Sequence, residues 1–226
     1  MKIKTKLRSC LRAILLLVTV LCLPTTAKAI YFDVDGIHYL SNGDNSVYVH
    51  SVRKSGDIVI PSTVTYEDKS YTVTAIFGLG SNITGISIPS TVTSIGIYNQ
   101  DYGHHQTNIF SDCDGLTHIT VASGNPTYDS RDNCNAIIET ASNTLLAGCK
   151  STVIPNTVIA IGKGAFASCN GLMNVELGNS VTTIGEYAFA SCSGLTNVEL
   201  GNSLTTIGEN AFVNCSSLTN VELGNS

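Results

Sequence analysis

The fold class this sequence predicts is a repeat solenoid, mainly β, and three observations carry the prediction. Cys169, Cys192 and Cys215 stand 23 residues apart, as do Ile161, Ile184 and Ile207, Phe166, Phe189 and Phe212, Leu172, Leu195 and Leu218, and Leu177, Leu200 and Leu223. The phrase that runs from Gly171 to Ser180 as G-L-M-N-V-E-L-G-N-S returns almost unchanged at Gly194 to Ser203 and at Ser217 to Ser226. Within each copy, apolar and polar residues alternate, as in Asn197-Val-Glu-Leu200, which is the period-two pattern of a half-buried strand.

The full unit reads V-x-x-I-G-x-x-A-F-x-x-C-x-x-L-x-x-V-x-L-G-N-S. A fixed period of 20 to 29 residues around L-x-x-L-x-L marks a leucine-rich-repeat solenoid. The expected architecture is a parallel sheet with one strand per 23-residue turn, because a lone strand cannot bury its apolar side and stacks on its copy instead. A second, shorter strand is expected near Val181 to Ile184. The Ala-Phe-x-x-Cys segments should form tight helical or irregular turns that bury Phe166, Phe189 and Phe212.

Less regular copies lie upstream. Ile83-x-x-Ile86-x-Ile88-Pro-Ser-Thr-Val92-x-x-Ile95-Gly96 follows the pattern, with Pro89 where later turns have Gly. Ile58-Val-Ile60-Pro61, Phe110-x-x-Cys113-x-x-Leu116-x-x-Ile119-x-Val121 and Val153-Ile154-Pro155-x-x-Val158-x-x-Ile161-Gly162 follow it as well. Taking Ile60, Ile88, Val121, Ile154, Leu177, Leu200 and Leu223 as strand-ending anchors gives intervals of 28, 33, 33, 23, 23 and 23. The first three turns therefore carry insertions, near 65–72, 97–108 and 124–150, which should loop out from the stack.

The pattern I-P-x-x-V-x-x-I-G-x-x-A-F-x-x-C-x-x-L resembles the BspA-like class of leucine-rich repeats over roughly residues 55–226. That family is common in surface and secreted proteins of anaerobic gut and oral bacteria. Tyr31 to Val52 resembles the strand-rich N-terminal cap of the family, giving an expected cap over 30–54. A cap answers a physical need, since the first strand of a stack exposes an open sheet edge.

Residues 1–29 read as a cleaved secretory signal. Lys2, Lys4, Lys6, Arg8 and Arg12 precede an apolar run from Ala13 to Leu23, and Ala27-Lys28-Ala29 supplies the small-x-small cleavage pattern. The run is short for a membrane span, and Leu21 before Cys22 is too bulky for a good lipoprotein signal. The mature chain then holds 6 Lys and Arg against 17 Asp and Glu, a net charge of −11. Such a surface argues against nucleic acid and anionic lipid as partners. The product is expected to be secreted or held at the cell surface, with no direct membrane insertion after signal cleavage.

Six cysteines remain after the signal. Cys113, Cys169, Cys192 and Cys215 share one repeat column and read as reduced, stacked core residues. Cys134 and Cys149 lie in an insertion, where Ala136 to Thr140 and Thr144 to Ala147 flank a hairpin turn at Ala141 to Asn143. That hairpin puts Asn135 opposite Cys149, so Cys134 and Cys149 are candidates for a disulfide, with two free thiols as the alternative. His104-His105 read as part of a solvated loop, and Asp33-x-Asp35 and Asp112-x-Asp114 lack the other positions of a calcium loop. No motif points to catalytic residues, a metal or a cofactor.

The outward strand positions offer the candidate ligand face. With Val175 and Leu177 inward, Asn174 and Glu176 point out, as do Asn197 with Glu199 and Asn220 with Glu222. The same columns carry Gly85 with Ser87 and His118 with Thr120 upstream, so the acidic stripe is confined to the C-terminal turns. The expected function is non-catalytic extracellular binding of a protein or glycan, for which a long repetitive face is suited. The resemblance implies adhesion to host matrix proteins or to other cells. The alternative is a spacer that displays an effector or anchor domain. Because the last copy is nearly perfect and ends at Ser226, the expectation is also of a truncated chain whose effector or anchor lies beyond it.

Overall fold

The computed structural model describes residues 29–96, 109–110 and 113–224. Residues 1–28 of the predicted signal, the insertion with His104-His105, and Asp112 lie outside the described residues. Three strands open the fold: β1 (Tyr31–Val34), β2 (Ile37–Ser41) and β3 (Ser46–Val52). They are followed by β4 (Gly56–Val59), β5 (Thr63–Tyr66), β6 (Lys69–Ile76), β7 (Ile83–Ile88), β8 (Ser94–Ile95) and β9 (His118–Val121). The middle of the chain supplies β10 (Tyr128–Asp129), β11 (Ala136–Glu139), β12 (Thr144–Gly148) and β13 (Ala160–Ile161). The regular turns supply β14 (Asn174–Glu176), β15 (Thr183–Ile184), β16 (Asn197–Glu199), β17 (Thr206–Ile207) and β18 (Asn220–Glu222). The helical content of the described residues is one 3₁₀ turn, Arg131–Asn133. A β-rich repeat solenoid results, with two short strands per regular turn.

Both walls are parallel sheets. β14, β16 and β18 form one wall, in the register Val175–Val198–Val221. β13, β15 and β17 form the other, in the register Ile161–Ile184–Ile207. Between them, Phe166 stacks on Phe189 with ring centroids 5.0 Å apart and planes 7° from parallel. Phe189 stacks on Phe212 at 5.1 Å and 2°. This ladder is the physical content of the repeated Ala-Phe. Each turn closes its neighbour's core, so Val198, Leu200 and Ile184 are buried while Val221, Leu223 and Ile207 are 49%, 77% and 51% exposed in the last described turn.

The phrase L-G-N-S gains a structural account. A Cβ on Gly201 would stand 1.6 Å from the Gly178 carbonyl oxygen, so only glycine allows the turns to pass this closely. The asparagine that follows caps the next turn: Asn179 Oδ1 accepts from the Asn202 N–H at 3.1 Å.

At the N-terminal end, β1–β2 and β2–β3 pair antiparallel, and β3 then pairs parallel with β6, which pairs parallel with β8. Antiparallel pairing thus passes into the parallel wall at β3. Phe32 anchors the region, stacked on Tyr66 at 4.4 Å and on Tyr39 at 5.6 Å.

Two expectations need correction. The insertions near 65–72 and 124–150 do not loop out: β5 and β6 form a hairpin within the first sheet, and β11 and β12 form a hairpin whose second strand pairs parallel with β13. The cause is legible in their burial, since Ile137, Ile138 and Leu145 are fully buried and their backbone finds partners only inside a wall. Glu67 and Asp68 at positive φ make the tight turn of the first hairpin. Second, Val153-Ile154 forms no strand. The principal wall is therefore two pieces, β4–β7–β9 and β14–β16–β18, with residues 150–156 passing between them without forming a strand.

Candidate ligand face

Because Val175, Val198 and Val221 point inward, the parallel register aligns Asn174, Asn197 and Asn220 in one outward column and Glu176, Glu199 and Glu222 in the next. Five of the six are exposed and Asn197 is half-buried. The Asn220 amide donates to Asn197 Oδ1 and, at 2.9 Å, to Glu222 Oε1. The glutamates edge a groove of about 490 Å³ lined also by Gly178, Gly201 and Asn202. Among the described residues, none of the three carboxylates has a Lys, Arg or His partner at ion-pair distance. Like charges one strand apart repel, weakly because water and salt screen them. The columns consequently add nothing to the fold that a neutral pair would not.

His118 belongs to a different part of the face. Its column upstream holds Gly85 and then Asp57, through the β4–β7–β9 register. His118 Nε2 lies 3.5 Å from Asp57 Oδ2, two strands away. It reaches that far because Gly85 is between them: a Cβ there would sit 2.0 Å from Nε2. Thr84 Oγ1 donates to Asp57 Oδ1 at 2.6 Å, and Thr117 Oγ1 lies 3.1 Å from His118 Nδ1. The sequence reading missed Asp57, although the signal was present: Asp57, Gly85 and His118 each stand three residues before an anchor. His38 was also missed as a paired residue. It is buried between the Tyr31 hydroxyl and Asp33 Oδ2, the latter 3.0 Å from Nε2.

All six described cysteines are free thiols. Cys192 donates to the Phe166 carbonyl at 3.0 Å, Cys215 to Phe189 at 3.1 Å and Cys113 to Gly80 at 3.3 Å. Three of the four cysteines in the column are thus thiol donors to the preceding turn. For Cys134 and Cys149, the hairpin register Ala136–Gly148 carries on to the Asn135–Cys149 pairing expected from the sequence. Their side chains nevertheless part company: Cys149 packs in the N-terminal core cluster and Cys134 in the C-terminal one, each thiol directed at a backbone carbonyl.

Burial pushes these thiols up, Cys134 to about 11 and Cys169 to about 12, with Cys149, Cys192 and Cys215 shifted in the same direction. A thiol with a raised pKa holds its proton in the folded chain after the unfolded chain has lost it. Stability is therefore complete below the unfolded thiol range and falls as pH rises through and above about 8.5. Urea titrations at pH 7, 9 and 10 should show a falling midpoint. Native alkylation at pH 8 should leave Cys192 unmodified until the chain is unfolded.

Among the described residues no three His, Cys, Asp or Glu side chains converge as metal ligands, and no helix is long and apolar enough to cross a membrane.

Residues 138–226 match the BspA type leucine-rich-repeat region in six copies. A leucine-rich repeat protein from Bacteroides ovatus is similar at 26% identity and a TM-score of 0.43, over 84% of this chain and 40% of that chain. A leucine-rich repeat protein from Eubacterium ventriosum is similar at 16% identity and a TM-score of 0.47, over 86% of this chain and 72% of that one. A leucine rich cell surface protein from Faecalibacterium prausnitzii is similar at 17% identity and a TM-score of 0.28, over 87% and 95%. No curated protein matches.

Proposed function

Since residues 138–226 of this chain match the BspA type leucine-rich-repeat region, we propose that the protein is a non-catalytic binding module, secreted or displayed at the cell surface, whose ligand is an extracellular protein or a glycan. One observation carries the reading. The exposed columns Asn174–Asn197–Asn220 and Glu176–Glu199–Glu222 are held in register by the sheet, yet the carboxylates have no charge partner among the described residues. A rigid row of carboxylates and amides at strand spacing is a ready counterpart for a cationic or hydroxyl-rich surface.

A spacer that only displays another domain is the competing reading. It needs no specific face, so charge reversal on the stripe would leave its behaviour unchanged. The test is to immobilise the protein and screen matrix proteins, glycans and bacterial cells at physiological salt. Retention of at least one ligand above a heat-unfolded control is expected; uniform loss of every ligand removes the binding reading in favour of the spacer.

A further inference from the structure

The regular turns fix which backbone groups face the preceding turn. In β16 the Asn197 N–H donates to the Met173 carbonyl at 3.3 Å, and the Glu199 carbonyl accepts from the Leu177 N–H at 3.0 Å. In β18 the Asn220 N–H donates to Thr196 at 3.1 Å, and the Glu222 carbonyl accepts from the Leu200 N–H at 2.8 Å. The equivalent groups of β14 are the Asn174 N–H and the Glu176 carbonyl. Among the described residues they have no backbone partner, because β14 is an edge strand in the interior of the solenoid.

The other side of the break is treated differently. The Val121 N–H of β9, which would face the missing strand, is capped by Ser130 Oγ at 2.9 Å. The segment that the repeat would make into that strand is pulled away: the Val153 N–H donates to the Cys134 carbonyl at 3.0 Å, and its side chain is 72% exposed. Between this segment and β14 lies a cavity of about 310 Å³, walled by the apolar Val153, Ile154, Phe166, Leu172 and Val175 together with the polar Thr152 and Asn156. Asn174 and Glu176 form its polar rim.

An open strand edge beside a slot of mixed apolar and polar lining is the geometry of β-augmentation, in which main-chain bonds give affinity and alternate side chains give specificity. We propose that β14 takes up an extended peptide segment of a partner protein, alternating apolar and basic residues. It would pair as the neighbouring turns do, with the carbonyl of one residue on the Asn174 N–H and the N–H of the residue four further on at the Glu176 carbonyl. Its apolar side chains enter the slot, and a Lys or Arg stands beside the Glu176 carboxylate. The proposal deepens the binding reading given above and rests on it for the presence of such a partner.

The probe is a fluorescein-labelled heptapeptide, KVKVKVK, followed by anisotropy, with EVEVEVE as the charge control. We expect saturable binding of the first peptide only. The substitution Glu176→Lys should weaken it at least tenfold, while Glu222→Lys, in the same column but away from the slot, should change it less than twofold. Both sites are exposed, so both variants are expected to fold. Amide exchange at Asn174 should slow at least tenfold with peptide bound. Absence of saturable binding, equal loss in the two variants, or unchanged exchange at Asn174 each overturns the proposal. A matrix protein or glycan retained in the screen without peptide binding removes only this proposal. Peptide binding with an empty screen removes the matrix and glycan reading and leaves the β14 site standing.

Discussion

Truncation of Phe189 to alanine is expected to lower the free energy of unfolding by about 3–5 kcal/mol, the range for deleting a buried aromatic ring. Phe189 is the middle ring of the stack, fully buried, with Phe166 on one side and Phe212 on the other. Its loss leaves a cavity bounded by two turns, and the neighbouring rings cannot close it because each is fixed by its own turn. Phe212→Ala should cost distinctly less, since that ring has only one stacking neighbour among the described residues and is half-buried. Urea unfolding of the two variants, followed by circular dichroism, gives the comparison. Equal costs would contradict the stacked-turn account, in which stability is shared between neighbours.

The second large effect is expected at Gly201. Valine there places a Cβ against the Gly178 carbonyl oxygen at 1.6 Å, so the two turns must separate. Backbone has no alternative rotamer to yield with, and overpacking of this kind costs about 1–3 kcal/mol, occasionally more. Gly96→Ala is the control, because its nearest contact among the described residues would be an ordinary 3.7 Å to the Phe77 ring; a change within about 0.5 kcal/mol is expected there. The midpoint shift in urea at constant slope measures both.

Much of this fold was legible in the sequence because a repeat reports its own geometry. The 23-residue spacing of Phe166, Phe189 and Phe212 placed them in one stack, and the alternation in Asn-Val-Glu-Leu assigned Asn and Glu to the outer face. The short second strand at Thr183–Ile184 was legible for the same reason. What the pattern could not convey is where a matching segment fails to pair. Val153-Ile154-Pro155 fits the repeat as well as Ile88-Pro89 does, yet its backbone is drawn to Cys134 by the inserted hairpin, which has taken a place in the other wall. That competition is between segments distant along the chain, and local periodicity is blind to it.

The candidate face was legible to the same degree. The Asn and Glu columns followed from strand alternation, and the structure aligns them strand by strand. The Asp57–His118 contact across Gly85 could have been read from the anchors alone, since all three stand at the same offset. The open groups at Asn174 and Glu176 could not, because their isolation depends on the failed strand and not on their own residue types.

The outward face of β14, β16 and β18 is the proposed binding surface. Its most direct measurement is the retention of a screened ligand by the triple variant Glu176→Lys, Glu199→Lys, Glu222→Lys, compared with Glu209→Lys, an exposed charge reversal in the turn after β17. The face reading predicts at least a tenfold loss of affinity for the triple variant and an unchanged value for the control, with both variants unfolding at similar urea concentrations. Equal affinity in all three proteins would contradict it.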